Sequence, residues 1–178
     1  EKREVLKTFS QAMRALLEQD VPADQPGLIS YDDYWRSITE NPSLRGLEDV
    51  AQVIEKSNVL EGRIKNAYTR PNLLPMATRI IHALSVQRLT TTDIHARLGV
   101  TAEELRDGLC LYTQIPEKTT EFLVDQVQVA LREIMKTVQG QFLSYSEENG
   151  QYYLDLKKVV DFDAKIGERG ESMSEYEL

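Results

Sequence analysis

Asn149-Gly150 stands between two short aromatic and apolar runs, Phe142-Leu143-Ser144-Tyr145 and Tyr152-Tyr153-Leu154-Asp155-Leu156. No other pattern narrows the fold of this chain as much. The dipeptide favours a type I′ turn, whose two central residues both need positive φ, so a β-hairpin is predicted with Leu154 and Leu156 on its buried face. Residues 119–138 lead into it. They place Leu123, Val127, Leu131, Ile134 and Val138 on one stripe of a helix that Gly140 terminates.

The segment before that helix is equally punctuated. Met76 to Val86 reads as a helix with Met76, Ile80, Ile81 and Leu84 inward. Leu89 to Asp93 supplies a cap, and Ile94, Ala96 and Leu98 suit a short second helix. Gly99-Val100-Thr101 is a tight turn. Thr101 and Glu104 have the spacing of a capping box, in which hydroxyl and carboxylate satisfy free amides at a helix start. Short helix, glycine turn and capped helix make a helix-turn-helix pattern, with the helix from Thr101 in the recognition position. The hairpin that follows completes a winged-helix-like domain.

Upstream, Val5, Leu6, Phe9, Met13, Leu16 and Leu17 predict a helix with one buried face. Pro22 to Gly27 ends it, because proline cannot continue a helix. Ser30 or Asp32 can cap a short helix holding Tyr34, Trp35 and Ile38, which Asn41-Pro42 breaks. A long helix follows from about Leu47 to Tyr68, with a kink expected near Ser57-Asn58. The expected fold is mainly α: a helical N-terminal subdomain over 1–70, a winged-helix-like domain with one β-hairpin over 71–160, and an acidic tail over 161–178.

Charge bears on partners. The net charge is −8, divided as −3 over residues 1–66, +1 over 67–115 and −6 over 116–178. An acidic surface repels phosphate backbones. The possible nucleic-acid contacts are Arg88, Arg97, Arg106, Lys157 and Lys158, opposed by Glu103, Glu104, Asp107, Glu147 and Glu148. A groove-reading helix usually offers Arg, Lys, Asn or Gln, and the one from Thr101 offers only Arg106.

Catalytic constellations are missing. His82 and His95 are the only histidines and Cys110 the only thiol, too few for a zinc set without added carboxylates. Cys110 between Leu109 and Leu111 reads as a small core residue. Asp32-Asp33 and Glu147-Glu148 read as solvated loop charges, since adjacent carboxylates point apart. Tyr31, Tyr34 and Trp35 read as an aromatic plug on the core. No metal, cofactor or enzymatic activity is expected. No apolar run approaches the roughly 20 residues of a spanning helix, and no signal peptide is visible. A single cysteine suits a reducing cytoplasm, and a start without Met suggests an excised region.

Several strings resemble a known family: Arg79-Ile80-Ile81-His82-Ala83-Leu84-Ser85-Val86, Thr101-Ala102-Glu103-Glu104-Leu105-Arg106-Asp107, Leu131-Arg132-Glu133-Ile134-Met135-Lys136-Thr137-Val138, and Gln151-Tyr152-Tyr153-Leu154-Asp155-Leu156-Lys157-Lys158. With Pro26-Gly27-Leu28-Ile29, Tyr34-Trp35 and Asp161-Phe162-Asp163-Ala164 they resemble large bacterial P-loop ATPases of the PglY type, associated with phage-defence gene clusters. The phosphate-binding loop itself is not here: the chain contains no Gly-Lys dipeptide. The resemblance implies a noncatalytic adaptor region of a larger ATPase. Its partners would be the parent's ATPase region or other defence-complex proteins, with no membrane. The alternative is a DNA-binding winged helix that tethers the parent to DNA.

Overall fold

The computed structural model describes residues 2–18, 20, 28–111 and 120–156. Among these lie seven α-helices and one antiparallel hairpin: α1 (Lys2–Leu17), α2 (Tyr31–Glu40), α3 (Pro42–Arg45), α4 (Glu48–Ala67), α5 (Leu74–Thr90), α6 (Ala102–Gly108), α7 (Thr120–Thr137), β1 (Leu143–Ser146) and β2 (Gln151–Leu154). The fold is mainly α with a winged-helix-like C-terminal part. The tail over 161–178 lies outside the described residues.

α5 is the axis of the molecule. Ala77, Ile80, Ile81, Ala83, Leu84, Ser85, Val86 and Arg88 are all buried on it. A helix buried on nearly every side needs neighbours all round, and α5 packs against α2, α4, α6, α7 and β2. One buried cluster runs from Trp35 through Ile64, Leu84 and Leu131 to Leu156, so α2 and α4 share a core with the winged part. α4 is continuous through Ser57-Asn58, where a kink was expected.

Two contacts fasten the N-terminal helices to the winged part. Tyr31 lies on Gly108, where an added Cβ would come 2.7 Å from the ring. Arg79 on α5 takes Asp32 through Nε at 2.6 Å and Nη2 at 3.3 Å, and Nη2 also donates to the Leu109 carbonyl at 2.6 Å. Asp33 accepts from the Ser30 amide at 2.7 Å at the start of α2. The Asp32-Asp33 pair is therefore structural mortar, not a loop charge.

The predicted capping box is present: Thr101 N donates to Glu104 Oε2 at 2.7 Å and Glu104 N to Thr101 Oγ1 at 3.2 Å. The predicted second helix is not. Residues 91–97 are turns and bends, and Val100 pairs instead with Tyr152 through two amide bonds of 3.0 and 2.8 Å. Val100 is thus an isolated bridge on the edge of the hairpin, and Gly99-Val100 is not the turn of a helix-turn-helix. The order α5, Val100, α6, α7, β1, β2 makes α6 and α7 the helix pair. α7 lies directly before the hairpin.

The hairpin pairs Leu143 with Leu154 and Ser146 with Gln151, leaving a four-residue loop, Glu147 to Gly150. Gly150 has φ +68 but Asn149 is not at positive φ, so the expected two-residue type I′ turn is replaced by a longer loop that needs one left-handed residue. Leu154 and Leu156 are buried as expected.

α6 and α7 end on the same device. Leu111 N donates to Arg106 O and Cys110 N to Asp107 O, both 3.0 Å; Gly140 N donates to Met135 O at 2.8 Å and Gln139 N to Lys136 O at 3.1 Å. These are Schellman closures, and their left-handed positions are held by Cys110 (φ 50) and Gln139 (φ 53). Cys110 is half-buried, more a turn residue than the core residue expected.

α1 corrects another expectation. Leu6, Phe9, Met13 and Leu17 of the expected face are exposed, while Ala12 is buried on a helix that packs on α2; the side chains of Val5 and Leu16 lie outside the described residues.

Two substitutions test this backbone. A Cβ on Gly99 would stand 1.9 Å from the Tyr152 carbonyl oxygen, a backbone atom that cannot swing aside. Gly99→Ala should lose about 2–3 kcal/mol in urea unfolding. Gln139→Gly should gain about 1 kcal/mol by relieving a left-handed side chain. Equal midpoints for both variants and the parent would refute the strand crossing and the helix closure.

Candidate nucleic-acid interface

The three described candidate cations do not assemble into one surface. Arg88 is fully buried: Nη1 donates to Ala96 O at 2.7 Å, Nη2 to Leu98 O at 3.0 Å, and the guanidinium lies 5.5 Å from the Tyr153 ring centre. Burial lowers its pKa, while Asp155, Tyr153 and Asp93 push it back up. Arg106 is half-buried, and its Nε donates to Asp107 at 2.7 Å. That bond holds the Asp107 carboxyl below the usual range. Arg97 is exposed, beside Tyr145, Glu147 and Asp155. Lys157 and Lys158 lie outside the described residues.

α7 keeps one face open to solvent. Its exposed side chains run Thr120, Glu121, Asp125, Arg132, Lys136, so carboxylates lead and the two cations trail. The loop tip adds exposed Glu147 and Glu148. Recognition helices contact base edges with their N-terminal residues, and here those are acidic.

Polar side chains gather elsewhere. A pocket of about 440 Å³ between α2, α4 and α5 is lined in part by Trp35, Arg36, Arg45, Ile54, Glu61 and His82. His82 Nε2 meets Glu61 Oε1 at 2.7 Å, and Lys65 Nζ lies 3.3 Å from Glu61 Oε2. The His82 ring is 6.2 Å from that of Trp35, which is buried like the predicted plug; Tyr34 packs beside it and Tyr31 stays nearly half exposed. The hydrogen bond from His82 is the main cause that lowers the Glu61 pKa, against a smaller opposing effect of burial. Among the described lining residues the hydroxyl is that of Thr39, which donates to Arg36 O at 3.0 Å. The lining therefore offers no activated nucleophile. Among the described residues no three His, Cys, Asp or Glu side chains form a metal-holding group, and no helix is long and apolar enough to cross a membrane.

Sequence reasoning missed the Glu61–His82 bridge, since 21 residues separate its ends. It ties α4 to α5 and makes a pH prediction. A carboxyl whose pKa is lowered by folding adds stability above its ordinary value and loses it as the pH falls through the lowered one. Glu61→Gln should melt a few degrees below the parent at pH 7, and the gap should close below about pH 4. A gap that stays constant down to acid pH would show that the bridge contributes nothing.

No curated protein and no solved structure matches the chain. The family model described as DUF6079 second domain matches residues 1–160, which include every element described above. The chain belongs to the DUF6079 second-domain family.

Proposed function

We propose that this domain is a noncatalytic interaction region of a larger P-loop ATPase in bacterial phage defence, working in the cytoplasm, and that its winged helix meets protein rather than DNA. The observation that carries this reading is the acidic lead of α7, Glu121 and Asp125, together with the acidic loop tip. Carboxylates at those positions would face phosphates. Of the three described candidate cations, Arg88 is internal and Arg106 is bound to Asp107. A partner with a basic surface suits the same face through charge complementarity, which speeds encounter. The family's description as a second domain fits a unit that works beside others. The ATPase and phage-defence setting rests on the resemblance of the sequence strings, and no enzymatic or cofactor role is assigned to this domain.

The test pairs two measurements. Immobilised domain should capture the parent's nucleotide-binding region. Fluorescence anisotropy on duplex DNA should show weak binding at about 50 mM salt and none at about 200 mM. Glu121→Lys with Asp125→Lys should create DNA affinity and steepen the salt slope by about 2. Submicromolar DNA binding by the parent domain that persists at the higher salt, without capture, would overturn the proposal in favour of a DNA tether.

A further inference from the structure

α1 packs backwards. Against α2 it buries Ala12, 1% exposed, with Ala15 half-buried, while Leu6, Phe9, Met13 and Leu17 keep 68%, 45%, 44% and 83% of their surface. Helices ordinarily bury their larger apolar residues and expose small or polar ones. At about 100° per residue the four large side chains fall within an arc of about 80° and extend about 16 Å along the axis. Their 3–4 spacing is that of a seam that a second helix fills.

The edges of this stripe differ. Ala12 lies about 100° to one side, against α2. About 100° to the other side, exposed Arg3, Lys7 and Arg14 fall within about 40° of one another and form a row along the helix. Among the described side chains α1 carries no acid, and exposed Glu18 follows its last residue. A cationic edge thus runs beside an apolar seam in a chain of net charge −8.

We infer that the α1 stripe is a docking face for an acidic amphipathic helix of a partner protein. Apolar residues of that helix would cover Leu6, Phe9, Met13 and Leu17, and its flanking carboxylates would meet Arg3, Lys7 and Arg14. A second copy of this chain fits worse: an antiparallel pair of α1 helices lays one cationic row on the other, and a parallel pair sets that row against the side held by α2. An anionic bilayer fits worse because the rest of the domain is acidic and would be repelled by it. The inference rests on the interaction-domain reading for the partner's being a protein, but it concerns a different face.

The test uses the whole chain with labelled helical peptides of about three heptads, Leu at the seam and Glu at the flanks, and the same peptide with Lys flanks. The Glu peptide should bind at least about tenfold more tightly than the Lys peptide, with the difference shrinking at high salt. Phe9→Ser with Met13→Ser should abolish binding without changing the circular dichroism spectrum, since both side chains are exposed. Arg3→Glu, Lys7→Glu and Arg14→Glu together should reverse the preference. Equal affinity for both peptides, binding to neither, dimerisation of the chain by light scattering that Phe9→Ser removes, or tighter binding to phosphatidylserine vesicles than to the Glu peptide would each overturn it. Capture of the parent's nucleotide-binding region with no peptide binding sinks this inference alone; loss of both sinks the interaction reading as well.

Discussion

A buried guanidinium organises the C-terminal half of this fold. Arg88 sits at the inner end of α5 with no exposed surface, and gives one amino group to Ala96 O and the other to Leu98 O. Residues 91–97 form no helix, so their carbonyls lack intrahelical partners, and a buried carbonyl left unpaired costs about 1–3 kcal/mol. Arg88 supplies donors there. It thereby fixes the path that delivers Gly99 and Val100 to the edge of β2, while its face lies over Tyr153. A planar fork suits this task better than an ammonium would, since it spans two acceptors at fixed geometry.

This placement has a functional consequence. The winged part keeps its best-placed cation as a strut, and sets carboxylates where a reading helix would need donors. Exposed positive charge lies on α1, which packs on α2, beside an apolar seam, as well as at Arg97, Arg132 and Lys136. The molecule therefore separates an acidic winged face from a basic-edged helical face. Asp32, Arg79 and the Tyr31–Gly108 contact join the halves that carry them. A domain built this way is suited to holding two different surfaces in fixed relation.

Local chemistry was legible in the sequence wherever it was local. The capping box at Thr101, the long apolar stripes of α5 and α7 and the presence of the hairpin all followed from near neighbours. Gly140 closes α7 as expected, with φ +70, but the left-handed Cys110 and Gln139 were not legible, because sequence reasoning reserves such positions for glycine. Arg88 was assigned to the surface by its charge. Its spacing from Ala77, Ile81 and Leu84, on one face of α5, was the signal that could have placed it inside. Once it is inside, the missing helix over 91–97 and the bridge at Val100 both fit. The stripe on α1 misled in the opposite sense: periodicity reports an apolar face, not what covers it.

Urea unfolding of Arg88→Met beside Arg97→Met tests the central claim most directly. With Arg88 as an internal strut, its replacement leaves the Ala96 and Leu98 carbonyls without their donor and should cost about 2–3 kcal/mol. The exposed Arg97 should change stability by no more than about 0.5 kcal/mol. Indistinguishable unfolding midpoints for the two variants would contradict the account and return Arg88 to the surface as a free cation.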